Sequence, residues 1–216
     1  MSYGISIENE SGYLQISDSY TNYVLVASGS VSATAGATGS FSGVSPGDAT
    51  ITGLQAEDIV AVQGSFLSEK YRTSSAVGIY NWQTSTQSIS YRVYRKSSNI
   101  SASTSDYGLE VFDASGNLRF SSKYPPAVVL ATASTRTGSG VSGATGAYAC
   151  LTGTGLVDVF PGEEDGGFIA GEITDLTVSA SSSGYSAQTD FEDNYDETVE
   201  WQLPVGTTKK LLFIKE

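Results

Sequence analysis

The first 17 residues of the chain have a counterpart 104 positions further along. Residues 3–17 and 107–121 both begin with Tyr-Gly, continue with alternating apolar and polar residues, and place a Ser-Gly pair at the same distance from the start. Such alternation around a short turn is typical of a β-hairpin, and glycine adopts a positive φ in turns with the least strain. The pattern predicts two similar hairpins with Gly12 and Gly116 in the left-handed region. One module must therefore fold in two places.

The two tryptophans mark the far end of the repeat. Trp82 and Trp201 lie 119 positions apart, and each precedes an apolar segment. Because they occupy equivalent places, we expect both to be core residues. The repeat predicts two copies, 1–104 and 105–216, the second with extra loop residues. Convergence of two ordinary hairpins is the alternative explanation.

Short apolar segments and frequent turn residues predict strands throughout. Residues 23–27 and 127–133 are nearly continuous apolar runs, as expected of strands covered on both faces. Residues 59–62 and 156–159 are predicted core strands. No stretch has a helical period, and β-branched and aromatic residues favour a pleated surface. The fold class is therefore all-β, predicted as two tandem, duplicated β-sandwich (immunoglobulin-like) domains.

The residue types exclude most catalytic chemistry. The chain has no histidine and one cysteine, so it lacks a Ser-His-Asp triad and the usual zinc ligands. Cys150 lies in an apolar segment and is predicted to be a buried small hydrophobe. No phosphate-binding or dinucleotide motif is present. We predict a protein that is not an enzyme, with no catalytic residue, no cofactor and no assigned metal site.

Charge is unevenly distributed between the copies. Residues 1–104 carry a net charge of −2 and residues 105–216 a net charge of −10, which together give −12. Binding to nucleic acid is disfavoured because it depends on Lys and Arg at phosphates. The acidic segments at 163–165 and 190–197 offer oxygen ligands that calcium prefers, although the spacing in the second segment does not match the EF-hand pattern. A solvated acidic loop is the other interpretation.

Thirteen tyrosines suit either sheet packing or a contact surface. Both interpretations stay open for the tyrosines with polar neighbours, which are Tyr13, Tyr20, Tyr23, Tyr185 and Tyr195. The opening residues show no basic and apolar export signal, which predicts synthesis and folding in a cytoplasm without secretion through Sec. The apolar runs are too short to cross a bilayer, so no membrane insertion is expected.

The segment YGLEVFDASGNLRFSS at 107–122, with its counterpart at the start of the chain, resembles the N-terminal segment of minor tail or tail-tip proteins of siphophages. The resemblance implies a non-enzymatic structural component of a bacteriophage tail, at its tip, baseplate or fibre, with other tail proteins as partners and the virion as location. It carries no catalytic residues to transfer.

The duplication predicts how such a protein would assemble. A trimer of two-copy chains would supply six similar modules and so give pseudo-six-fold packing. We expect the first copy to anchor the protein and the second to face outward. The alternatives are a receptor- or glycan-binding tail protein for host adsorption and a capsid or head decoration protein.

Overall fold

The computed structural model of the chain describes residues 6–8, 14–17, 21–38, 44–101, 108–135, 147–151, 155–165, 168–181, 184–195 and 209–215. In these residues the regular structure is all-β apart from one short 3-10 turn, Ser97–Asn99. The strands are β1 (Ser6–Glu8), β2 (Leu14–Ser17), β3 (Tyr23–Ala33), β4 (Ala37–Thr38), β5 (Val44–Ser45), β6 (Gly47–Thr52), β7 (Ile59–Arg72), β8 (Ala76–Asn81), β9 (Gln87–Lys96), β10 (Glu110–Phe112), β11 (Leu118–Ser121), β12 (Val129–Thr135), β13 (Ala147–Cys150), β14 (Gly155–Asp165), β15 (Phe168–Ser181), β16 (Gly184–Tyr195) and β17 (Lys209–Lys215).

The two predicted hairpins form with the same register. β1 and β2 pair antiparallel with an irregularity between Ile7 and Glu8. β10 and β11 pair in the same way, with the irregularity between Val111 and Phe112. All three residue pairs of the second hairpin lie 104 positions after those of the first. Gly116 has φ +82°, as predicted, whereas Gly12 lies outside the described residues.

The match continues into the next pair of strands. β3 pairs with β9 and has a bulge between Leu25 and Ala27. β12 pairs with β17 and has its bulge between Val129 and Ala131, again 104 positions later. Six consecutive residue pairs agree when β9 is aligned with β17 at an offset of 120. The first and last long strands of each copy therefore pair identically.

A third strand completes the equivalence. β7 places Ile59 opposite Tyr94 of β9, and β13 places Tyr148 opposite Ile214 of β17. Tyr94 and Ile214 are equivalent by the offset of 120, so Ile59 and Tyr148 are equivalent at an offset of 89. Each copy thus contributes one three-stranded unit, β3–β9–β7 or β12–β17–β13.

The two units are related by a pseudo-two-fold axis. Ala61 of β7 pairs antiparallel with Cys150 of β13, and these residues are equivalent at the same offset of 89. Antiparallel pairing of equivalent residues is the signature of an isologous, two-fold contact. A second such contact follows, because the Ala127 N–H donates to the Tyr23 carbonyl oxygen at 2.8 Å and these residues are 104 apart. The six strands, in the order β3–β9–β7–β13–β17–β12, therefore form a ring in which the residues before β12 contact β3.

Strands from both copies meet in one sheet. Eleven of the described strands, taken from 1–104 and 105–216, form this sheet, in which β7 pairs with β13 and β15. The all-β class is confirmed, and the division into two domains stays a prediction.

The long strand β7 passes from the first layer of this sheet to the second. Its residues 59–63 pair with β9 in the first layer, and its residues 67–72 pair with β8 in the second. The change of direction falls around Gly64 and Phe66. Phe66 has φ +52°, a left-handed conformation that costs a non-glycine residue about 1–2 kcal/mol. The second layer consists of β6, β8, the end of β7, and β14 to β16.

The first layer is covered by apolar clusters on both faces. Ile59 and Ala61 contact one cluster, which lies within the ring of six strands and includes Tyr94, Tyr148, Cys150 and Ile214. Val60 and Val62 belong to the larger cluster between the two layers. Side chains alternate along a strand, so a strand with two buried faces needs a continuous apolar run. The predicted core strand at 59–62 is confirmed. In residues 23–27, where cover on both faces was predicted, Val24 is buried but Ala27 is exposed.

Candidate functional site

The outward face of β6, β8 and the end of β7 carries the most distinctive side chains of the described region. Residues of these strands that point between the layers are aliphatic and buried, among them Ala49, Ile51, Val77, Ile79 and Leu67. The alternate positions of β6 are exposed. Because successive side chains point to opposite faces, the remaining residues define an outer surface. We call Phe66, Tyr71, Tyr80 and Trp82 on this surface the aromatic face.

A bulge in β7 places Tyr71 on this surface. Glu69 pairs with Ile79, but Tyr71 pairs with Gly78, so one residue of β7 is extra at this point. Without the bulge, Tyr71 would share the inward side with Glu69. A bulge redirects side chains in this way by shifting the alternation. Lys70, the extra residue, also contacts the outer surface.

Tyr71 is held in position on both sides. A Cβ atom at Gly78 would lie 2.3 Å from Tyr71 Cε1, so the glycine makes room for the ring. The Tyr71 hydroxyl oxygen lies 3.2 Å from Thr50 Oγ1 on the neighbouring strand β6. The residue nevertheless remains 41% exposed. Its ring is therefore fixed against the sheet and open to a ligand.

Tyr80 and Trp82 continue the surface along β8. Their ring centroids are 5.7 Å apart with the planes inclined by 58°. Trp82 Nε1 donates to Ser68 Oγ at 2.9 Å, and the Trp82 backbone N–H donates to the Phe66 carbonyl oxygen at 3.1 Å. These bonds fix the indole ring of Trp82, which is half-buried. The core position predicted for Trp82 is therefore wrong, and Trp201 lies outside the described residues.

The charges beside the aromatic face are paired. Lys70 Nζ lies 2.6 Å from Asp48 Oδ2 and 5.3 Å from the centre of the Tyr80 ring, a cation–π distance. The hydrogen bond that Lys70 donates to the Asp48 carboxylate raises the pKa of Lys70, against a smaller opposing effect of desolvation. Arg72 forms an ion pair with Glu69 at 2.7 Å on the opposite, inward side of β7, so this pair is not part of the aromatic face. The surface is thus locally neutral in a chain whose net charge is −12.

The acidic segments occupy a different part of the second layer. Residues 163–165 lie at the end of β14, and residues 190–195 lie on β16. β15 separates these strands, because it pairs with both of them. In the part of the chain that the structure describes, no group of three or more Cys, Asp or Glu residues is placed to hold a metal ion. Calcium binding therefore stays a prediction.

Cys150 and the predicted tyrosines lie elsewhere. Cys150 is 1% exposed, and burial raises the pKa of its thiol to about 12, as expected for a packing residue. Tyr23 packs half-buried against the inner cluster. Tyr13 and Tyr20 lie outside the described residues, as do the side chains of Tyr185 and Tyr195. Reasoning from polar neighbours missed Tyr71 and Tyr80. The signal for Tyr80 was its alternation with the buried residues Val77 and Ile79 on β8, whereas the bulge in β7 hides the same signal for Tyr71.

Comparison of the chain with protein-family models, with curated proteins and with solved structures gives no match. Within the described ranges, none of the structure is a helix long and apolar enough to cross a membrane. Fold and site together define an all-β protein with an internal pseudo-two-fold axis and an outward aromatic surface.

Proposed function

We propose that this chain is a non-enzymatic structural component of a bacteriophage tail, located at its tip, baseplate or fibre and assembled with other tail proteins. The observation that carries the proposal is the agreement between the two hairpins. Their pairing and bulge positions are the same in both copies, and the second hairpin is the segment that resembles siphophage tail proteins.

The features common to both copies support assembly over chemistry. They are turns, bulges and pairing registers, together with the apolar positions at Ile59 and Tyr148, and at Ala61 and Cys150. A catalytic module that had been duplicated would be expected to keep its reactive groups in at least one copy. The positions that the two copies share determine the backbone fold, and a defined fold is what a structural subunit contributes to a particle.

The pseudo-two-fold axis between the copies affects which symmetry the predicted trimer can have. Neighbouring units of a six-fold ring differ by a sixth of a turn, whereas the two copies of this chain differ by about half a turn. Pseudo-six-fold packing is therefore not part of the proposal. The proposal keeps the trimer. Light scattering should then give a mass of about 68 kDa, three times 22.6 kDa. A purified chain that stays at 22.6 kDa at all concentrations would remove the trimer.

Electron microscopy of phage particles tests the location. An antibody raised against the purified chain would be applied, with a gold label, to particles from lysates in which it detects the chain. We expect label at one end of the tail, and none after absorption of the antibody with purified chain. Label on the capsid would favour the head decoration alternative, and label on no particle would overturn the proposal.

A further inference from the structure

We propose that the aromatic face of the second layer binds a neutral oligosaccharide or polysaccharide chain. The inference does not depend on the tail location, because it rests on the side chains of β6, β7 and β8. It identifies a surface in the first copy, whereas the sequence pointed to the acidic segments of the second copy.

The first argument is the direction of the aromatic rings. A sheet that packs on one face directs its large apolar side chains inward, where each contributes about 1.5–3 kcal/mol by burial. Here the inward positions hold aliphatic residues, and Tyr71 and Phe66 are 41% and 36% exposed. The aromatic residues therefore contribute less to the core than residues of their size could. Exposed, positioned aromatic rings are a recurrent feature of binding surfaces.

The second argument is the shape of the surface. Trp82 lies two residues after Tyr80. Gly78 lies two residues before Tyr80, and Tyr71 on the neighbouring strand is directly opposite Gly78. Two residues of a strand cover about 7 Å, so the rings form a row along the strand direction. The open face of a sheet has no deep walls, which suits a ligand that is extended and flat. A linked chain of sugar rings has this form.

The third argument is the match of chemical groups. A pyranose ring has faces of C–H groups, which stack on aromatic rings, and an edge of hydroxyl groups, which exchange hydrogen bonds. Asp48, Thr50 and the Tyr71 hydroxyl provide such partners beside the rings. Among the described residues, the charges placed beside the rings are Lys70 and Asp48, which pair with each other, so they offer no unpaired cation to a phosphate backbone or a polyanionic sugar. A neutral glycan fits all three arguments.

The backbone geometry supports a preorganised site. Phe66 keeps a left-handed conformation next to Trp82, and strained residues of this kind occur at ligand-binding positions. Trp82 is fixed by Ser68, and Tyr71 by Gly78 and Thr50. Side chains that are already ordered lose little conformational entropy on binding, which favours affinity.

The test uses the full-length chain in affinity electrophoresis. Gels contain dextran, mannan, galactomannan or a soluble chitin oligosaccharide conjugate as neutral probes, and alginate or heparin as acidic probes. We expect retardation by at least one neutral probe and no salt-dependent retardation by the acidic probes. Absence of retardation by every neutral probe would overturn the proposal, as would retardation that only the acidic probes produce.

Matched variants locate the site. Tyr71→Ala should weaken retention by roughly three- to ten-fold, the value of one aromatic contact. The control is Phe112→Ala, because Phe112 is 42% exposed but lies on β10, away from this surface. Circular dichroism and thermal unfolding verify that both variants are folded. Equal loss in the two variants refutes the assignment, and so does a Tyr71→Ala variant that keeps its retention but changes its oligomeric state.

Discussion

Cys150 should react with thiol reagents only when the pairing between β7 and β13, which joins the two copies, opens. It is the one cysteine of the chain, so labelling reports a single site. On β7 it pairs with Ala61. The Cys150 side chain belongs to the apolar cluster within the ring of six strands, together with Tyr94 and Ile214. The reactive thiolate is suppressed because burial raises the pKa of the thiol from 9.0 to about 12, despite an opposing effect of Arg72.

The magnitude follows from this pKa and from the stability of the sheet. A rise from 9.0 to about 12 lowers the thiolate population by about 1,000-fold at any pH below both values. Exclusion of the reagent by packing adds a factor set by the free energy of opening, which reaches about 5 kcal/mol or more if the whole domain must unfold. We therefore expect native labelling at least about 1,000-fold slower than labelling of the unfolded chain.

The assay is a pulse of N-ethylmaleimide across a urea series, read by mass spectrometry and compared with far-UV circular dichroism. An exposed reference is the double variant Cys150→Ala with Thr84→Cys, since Thr84 is exposed on a turn. The midpoint of Cys150 labelling should coincide with the loss of the β-sheet signal. Labelling of Cys150 in native buffer within about ten-fold of the reference rate would refute the shared sheet. A labelling midpoint at lower urea than the spectroscopic one would do the same.

Three further outcomes can be measured on the same material. Asp58→Ala should lower the free energy of unfolding by about 3 kcal/mol in urea titrations, because it removes the 2.8 and 2.7 Å bonds of Arg95 to a buried carboxylate. Hydrogen bonds in its turn lower the pKa of Asp113 to about 2 from 3.8, so its contribution is complete above about pH 4 and is lost as the pH falls through 2. The melting temperature of Asp113→Asn should therefore fall less steeply than wild type between these values; parallel curves would contradict this. Gly116→Ala and Gly53→Ala should each cost about 1 kcal/mol, because φ is +82° and +79° and no atom obstructs the added Cβ; a neutral result would exclude backbone strain.

Local patterns predicted the parts of the fold that depend on neighbours in sequence. The hairpin register and the positive φ of Gly116 follow from alternation and turn residues within 15 positions. The apolar run 59–62 predicted a core strand, and its alternating side chains contact the two clusters in turn. Each of these features is decided by one segment alone.

Features that depend on distant segments were not predictable. The pairing of Ala61 with Cys150 joins strand edges from different copies. The backbone groups at the edge of a strand are the same for every residue type, so the sequence does not show which strand will pair there. The aromatic face was missed because the bulge before Tyr71 reverses the side that simple alternation assigns. The alignment of Trp82 with Trp201 predicts a core position, but the half-buried Trp82 lies on the outer surface, where it donates to Ser68.

The offsets between equivalent strands show where the two copies differ. The offset falls from 104 at β3 to 89 at β13, so the first copy has 15 more residues between its first and third long strands. It rises from 89 to 120 at β17, so the second copy has 31 more residues after its third strand, in the region of β14 to β16.

The second layer carries sequence properties that separate the copies. Residues 155–195 contain nine acidic residues and no Lys or Arg, which accounts for most of the charge of −10 in the second copy. β6 supplies Asp48 and Thr50 to the edge of the aromatic face. The symmetric layer is where the copies must agree, because their contact across the axis requires equivalent strands. The second layer is free of that requirement, and there the first copy places aromatic rings on its outer face, while the second copy contributes strands whose sequence is rich in Asp and Glu.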